Sequence, residues 1–146
     1  MDIALIHNDW TNDSVTRFFA DHIMPKVRQF SDLANCDHPP ELYLFKQRSA
    51  VFRCHANDPT YAVKLEGPET PRAHTTEAAH TWLARLRQVD PQQTRLAVIR
   101  PIGLLQPERT LITEWHTAPL LRTVVARPRH GPRRLAAIRS GLNWLD

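Results

Sequence analysis

A chain of 146 residues is the length of one ordinary domain and can bury enough surface for one core. With 42% hydrophobic and 23% charged residues it is neither a disordered tail nor a fibrous repeat. The net charge of +4 invites a nucleic-acid or phosphate-ligand reading. Of the 19 basic residues, however, only Lys26, Lys46 and Lys64 are lysines, and an arginine excess is also what a GC-rich genome produces. The charge is therefore a weak signal.

No apolar run approaches the ~18 residues of a membrane span, and Met1 to Trp10 lacks the basic flank and long apolar stretch of a signal peptide. A cytoplasmic chain without a membrane partner is the expectation. Cys36 and Cys54 are too few for a disulfide scaffold, and sequence alone does not decide whether they pair. Four glycines against twelve prolines mean turns built mostly from Pro and Asx residues.

In chain order, an apolar run Ile3 to Ile6 precedes His7-Asn8-Asp9. A helix capped by Asn12 or Asp13 follows, with Val15, Phe18, Phe19, Ile23, Met24, Val27, Phe30 and Leu33 on one stripe. Pro25 should kink or split it. After the break at Asn35 to Pro40, Leu42 to Phe45, Val51 to His55 and Tyr61 to Leu65 read as three strands. Gln47-Arg48-Ser49 and Asn57-Asp58-Pro59 are the turns between them.

A second helix begins at Thr75 or Thr76, carries Glu77 in its first turn and shows Ala79, Trp82, Leu83 and Leu86 on its apolar face; Asp90-Pro91 stops it. Leu96 to Ile102 and Arg109 to Trp115 read as a hairpin across Gln106-Pro107-Glu108. Leu120 to Val125 can be a short helix, and Arg133 to Leu145 is a last one. Sequential strands interrupted by one helix predict an α+β fold with a mostly antiparallel sheet.

The sharpest constellation is Ala62-Val63-Lys64 on the third strand followed by Glu77 on the next helix. Strand alternation puts Lys64 on the face of Ala62, opposite Val63 and Leu65. A half-buried lysine needs an anion, and a helix-start Glu is a candidate; together they could order a phosphate. The plain alternative is a lysine on a solvated sheet face, where most lysines lie.

The order of these pieces resembles the N-terminal lobe of a protein-kinase-like phosphotransferase, and more closely the aminoglycoside phosphotransferase family and its choline-kinase-like relatives. Ser49-Ala50-Val51-Phe52-Arg53 looks like the nucleotide-loop exit, and Tyr61-Ala62-Val63-Lys64 like the ATP-lysine strand. Glu77 to Leu83 looks like the Glu-helix. Arg100 to Leu104 with Leu111-Ile112-Thr113-Glu114-Trp115 looks like the strand pair leading to the hinge, and Leu135 to Leu145 like the first helix of a second lobe.

The resemblance implies a helical extension over 1–40, a five-stranded N-lobe with one packed helix over 41–118, and the start of a second lobe over 119–146. It also implies site roles. Lys64 would bind the α- and β-phosphates of ATP, held by Glu77, or by Glu66 or Glu69 if the helix starts earlier. Val51 and Ala62 would line the adenine slot, the backbone of Glu114, Trp115 and His116 would meet the adenine edge, and Gln47 to Ala50, with Ser49, would cover the phosphates.

Two departures limit it. The loop Phe45-Lys46-Gln47-Arg48-Ser49-Ala50 has no glycine. Nothing after Leu145 supplies the catalytic Asp or the magnesium-binding residues, so the expectation is a nucleotide-binding lobe that is incomplete and inactive alone.

The competing expectation is a non-catalytic, degenerate relative or gene remnant that binds a partner, itself or a separate second lobe through exposed apolar surface. His7-Asn8-Asp9 matches a kinase-type H-x-D only over three residues, and Asn12 is misplaced for its partner; it reads as a polar loop. Cys36-Asp37-His38 and Cys54-His55 lack zinc-site spacing. The arginines from Arg122 to Arg139 come without interleaved aromatics and read as a solvated linker, which disfavours nucleic acid.

Overall fold

The computed structural model describes residues 2–36, 39–56, 59–92 and 98–115. His116, the arginine-rich stretch and the helices expected over 120–125 and 133–145 lie outside the described residues, as does the proposed start of a second lobe. By chain contacts there are two units. One contains the residues through Ala84 together with Ile99–Trp115; the other contains Arg85–Val98. Within the second, the Arg87 guanidinium donates to the Val98 carbonyl (2.8 Å).

The first unit opens with helix α1, Ile3–Asn8, where the sequence shows only an apolar run; the Asp2 carboxylate caps it at Ala4 N (3.3 Å). Helix α2, Asn12–Phe18, is capped by Thr11, whose hydroxyl accepts from Ser14 N, and not by Asn12 or Asp13 as expected. Any of the three could cap by chemistry. Thr11 does so because its backbone is the extended one, at φ −126° and ψ 160°.

The helix then widens into a π-turn, Phe19–Ile23, before α3, Met24–Val27, and a 3-10 turn, Ser31–Leu33. Pro25 causes the widening. It has no N–H to give the Asp21 carbonyl and its ring crowds that oxygen, so the ladder shifts by one and Met24 N bonds Phe19 O. The expected apolar stripe survives the shift: Val15, Phe18, Phe19, Ile23, Met24, Val27 and Leu33 are all buried.

Strands β1 (Glu41–Phe45), β2 (Ser49–His55), β3 (Thr60–Glu66), β4 (Pro101–Leu105) and β5 (Thr110–Glu114) form a five-stranded sheet in the order β1-β2-β3-β5-β4. Every pairing is antiparallel. The fold is thus α+β, as expected. Of the strand expected over 96–102, residues 96 and 97 lie outside the described residues, 98–100 are not strand, and β4 runs from Pro101 to Leu105. Its extent is set by pairing from the Gln106–Arg109 turn, where Leu105 meets Thr110, rather than by the apolar run before Pro101. Arg109 closes that turn at φ +48°.

Alternation along the strands makes two different faces. Phe52, Cys54, Tyr61, Val63, Leu65 and Ile112 point to the core, where the N-terminal helices cover them; the Phe19 and Phe52 rings stack at 3.9 Å. The predicted single packed helix, α4 (Thr76–Val89), contributes nothing to this apolar core among the described residues. Its expected apolar face is Ala79, Leu83 and Leu86, half-buried, and Trp82, 59% exposed. The packing role falls instead to the segment with the larger apolar rings.

Candidate functional site: the Lys64 face of the sheet

The second face carries the residues singled out from sequence. Register sets them side by side: Val51 opposite Lys64, Arg53 opposite Ala62, Lys64 opposite Leu111 and Ala62 opposite Thr113. All but Leu111, which is buried, are half-buried. A lysine in this setting has its stem against apolar neighbours and its ammonium free to reach for an anion. Among the described residues Lys64 makes no ion pair.

The carboxylates offered as its partner go elsewhere. Glu66 shares the Lys64 face, two residues along the strand, and is only 6% exposed. Its Oε1 accepts from Thr76 N (2.6 Å) and the Thr76 hydroxyl (3.0 Å). A negative charge fixed at the first turn of α4 is favourable to the helix dipole and satisfies an N–H that the helix itself leaves open. Thr75, one of the two expected caps, accepts from Ala78 N (3.2 Å). Glu77 and Glu69 are exposed, and neither pairs with Lys64.

The expected phosphate cover is a closed hairpin. Lys46 and Ser49 exchange backbone bonds around Gln47-Arg48. The two turn carbonyls accept from Glu69 N and Gly67 N, and the Arg48 carbonyl also from the Thr70 hydroxyl. Gly67 makes this approach sterically feasible, because a Cβ there would lie 2.2 Å from the Gln47 oxygen. Trp10 Nε1 donates to the Lys46 carbonyl from the other side (2.8 Å). Sequence reasoning missed this tie; its signal is the Gly67-Pro68 pair directly after the third strand.

At the expected adenine edge, Glu114 N donates to the Arg100 carbonyl (3.0 Å) and Trp115 N to the Thr60 carbonyl (2.9 Å). Both N–H groups are thus spent within the sheet, which leaves carbonyls and side chains to meet a base. Trp115 instead joins a side-chain cluster that sequence reasoning missed. The Arg53 guanidinium lies 5.5 Å from the Tyr43 ring centre and 5.4 Å from that of Trp115, and the two rings meet edge to face at 4.7 Å. Glu41 pairs with the same guanidinium. Alternation puts Tyr43 on the face of Glu41, which pairs with Arg53, and the β-bulge between Leu42 and Leu44 shifts the register of Leu44 and Phe45 beyond it.

A separate cleft of about 420 Å³ lies at the start of α4, lined by Glu66, Thr76, Glu77, Arg72, Arg109 and neighbours. Two carboxylates face two guanidiniums there, so it has no net preference for an anion. His7, from the H-x-D match, donates from Nε2 to the Glu66 carbonyl (2.8 Å), and Asp9 accepts from the Ser14 hydroxyl. Both are built into the helix packing. No group of three or more metal-ligating side chains exists among the described residues, and no helix there is long and apolar enough to cross a membrane. The chain matches no family model, no curated protein and no solved structure.

Proposed function

We propose that the Lys64 face is a nucleotide-binding surface, that of an ATP-dependent small-molecule phosphotransferase of the aminoglycoside phosphotransferase type. One observation carries the reading: a mid-sheet lysine without an ion pair among the described residues, set between Val51, Ala62 and Leu111 on a half-buried face. Lys64 would hold the phosphates through its ammonium, and Val51 and Ala62 would give the base an apolar floor. The antiparallel five-stranded sheet and the order of strands, helix and hairpin agree with the resemblance. The reading stops at binding, because the charge neutralisation of phosphoryl transfer needs a carboxylate and metal ligands beyond these residues.

The partner-binding alternative rests on the spent N–H groups of Glu114 and Trp115, the closed Gln47-Arg48 hairpin, and the exposure of Trp82 and Tyr43. A thermal-shift titration with magnesium-ATP separates the two. The nucleotide reading expects a rise in melting temperature for the wild type and none for Lys64→Ala. A ligand at 100 times its Kd stabilises by about 2.7 kcal/mol. Equal shifts in both proteins would place the nucleotide elsewhere, and no shift in either would favour the partner-binding reading.

A further inference from the structure

Among the described residues, one buried side-chain oxygen has no hydrogen-bond partner: Glu108 Oε2. Glu108 sits in the turn between β4 and β5 and is only 7% exposed. Its Oε1 accepts from the Lys26 ammonium on α3, and its backbone carbonyl accepts from the Thr110 hydroxyl (3.0 Å). A carboxylate oxygen held this far from solvent calls for a second donor.

Glu108 is also the only buried residue among those lining a cleft of about 560 Å³, between α3, the first turns of α4 and the β4–β5 turn. That volume lies in the range of small-molecule sites. Every lining residue belongs to the first unit of the chain. Leu104, Leu105 and Pro107 give the cleft an apolar wall, and Glu77 stands exposed at its rim. Glu77 borders the neighbouring cleft of Arg72 and Arg109 as well, yet it makes no ion pair among the described residues. With His80 neutral, two carboxylates face one ammonium, so the cleft carries one negative charge in excess.

We propose that this cleft binds a small alkylguanidinium, its head between Glu108 Oε2 and the Glu77 carboxylate and its stem along Leu104, Leu105 and Pro107. One such cation supplies the donor that Oε2 calls for and balances the charge. A guanidinium suits the place better than an ammonium. It is more weakly hydrated, so it loses less on entering a buried floor, and its planar fork serves two carboxylates at once. This inference does not rest on nucleotide binding, since neither Lys64, Val51 nor Ala62 lines the cleft.

The test titrates n-butylguanidinium into the isotopically labelled full chain at constant ionic strength and follows the backbone amides. Saturable shifts are expected at Glu77, His80, Thr81, Gln106 and Glu108, weaker binding of n-butylammonium, and no saturable shifts with n-butanol. Glu108→Gln should bind roughly tenfold more weakly or worse, the worth of a hydrogen bond to a charged group. That variant also strips Lys26 of its partner, so Glu77→Gln, at an exposed position, is measured beside it and should bind about threefold more weakly. Shifts elsewhere or none, n-butanol acting like the guanidinium, n-butylammonium binding as tightly, or unchanged affinity in a folded variant would each overturn the proposal. A capped tripeptide with a central arginine that binds more tightly than n-butylguanidinium would overturn the assignment to a free small molecule.

Discussion

The two faces of the sheet are built from the same strands and behave as different materials. On one, Phe52, Val63, Leu65 and Ile112 are sealed under α1 to α3, and Phe19 lies flat on Phe52. On the other, Val51, Ala62, Lys64 and Thr113 are half-buried; Arg53 is held by Glu41 and two aromatic rings, Glu66 by Thr76, and Lys64 makes no ion pair among the described residues. Stability is concentrated on the first face. The second is spared the duty of holding the chain together, which is the condition under which a cationic side chain can be kept for a ligand.

The comparison can be broken by mutation. The largest effect is expected from Phe52→Ala, which removes a fully buried ring and its stacking on Phe19; it should cost about 3–5 kcal/mol in urea unfolding. Val51→Ala, one residue along on the other face, should cost well under half as much. Equal costs would mean the second face is core as well. Next comes Gly67→Ala, whose Cβ meets backbone at 2.2 Å and must push the Gln47-Arg48 hairpin away. A loss of about 1–3 kcal/mol in the same measurement is expected.

Glu66→Gln keeps an acceptor for Thr76 but removes the charge at the start of α4, and should lower stability by about 0.5–1 kcal/mol. The smallest effect is expected from Lys64→Ala. A lysine without an ion pair should change stability by no more than about 0.5 kcal/mol, which leaves its role to be read in binding alone.

The face assignment was legible in the sequence, because period-2 alternation through Tyr61-Ala62-Val63-Lys64-Leu65 fixes which side each residue takes. So were the apolar stripe of the first helices and the hairpin across Gln106-Pro107-Glu108. What alternation and periodicity do not encode is which partner wins. Glu66 reads from sequence as a candidate for Lys64, yet two donors at Thr76 outcompete one ammonium. Trp82 reads as a core residue of α4, yet Phe18, Phe19 and Ile23 already fill the sheet's apolar face.

The Tyr43–Arg53–Trp115 cluster lies on one face by alternation, but its meeting is set by strand order and register, which no local pattern encodes.

The central claim is that Lys64 marks a nucleotide-binding face. It is tested most directly by titrating magnesium-ATP into the isotopically labelled chain and following backbone amide resonances residue by residue. The account predicts the largest shifts at Val51, Ala62, Lys64 and Thr113, and their loss in Lys64→Ala. Shifts confined to the cleft of Arg72, Glu77 and Arg109, or no shifts at saturating nucleotide, would contradict it.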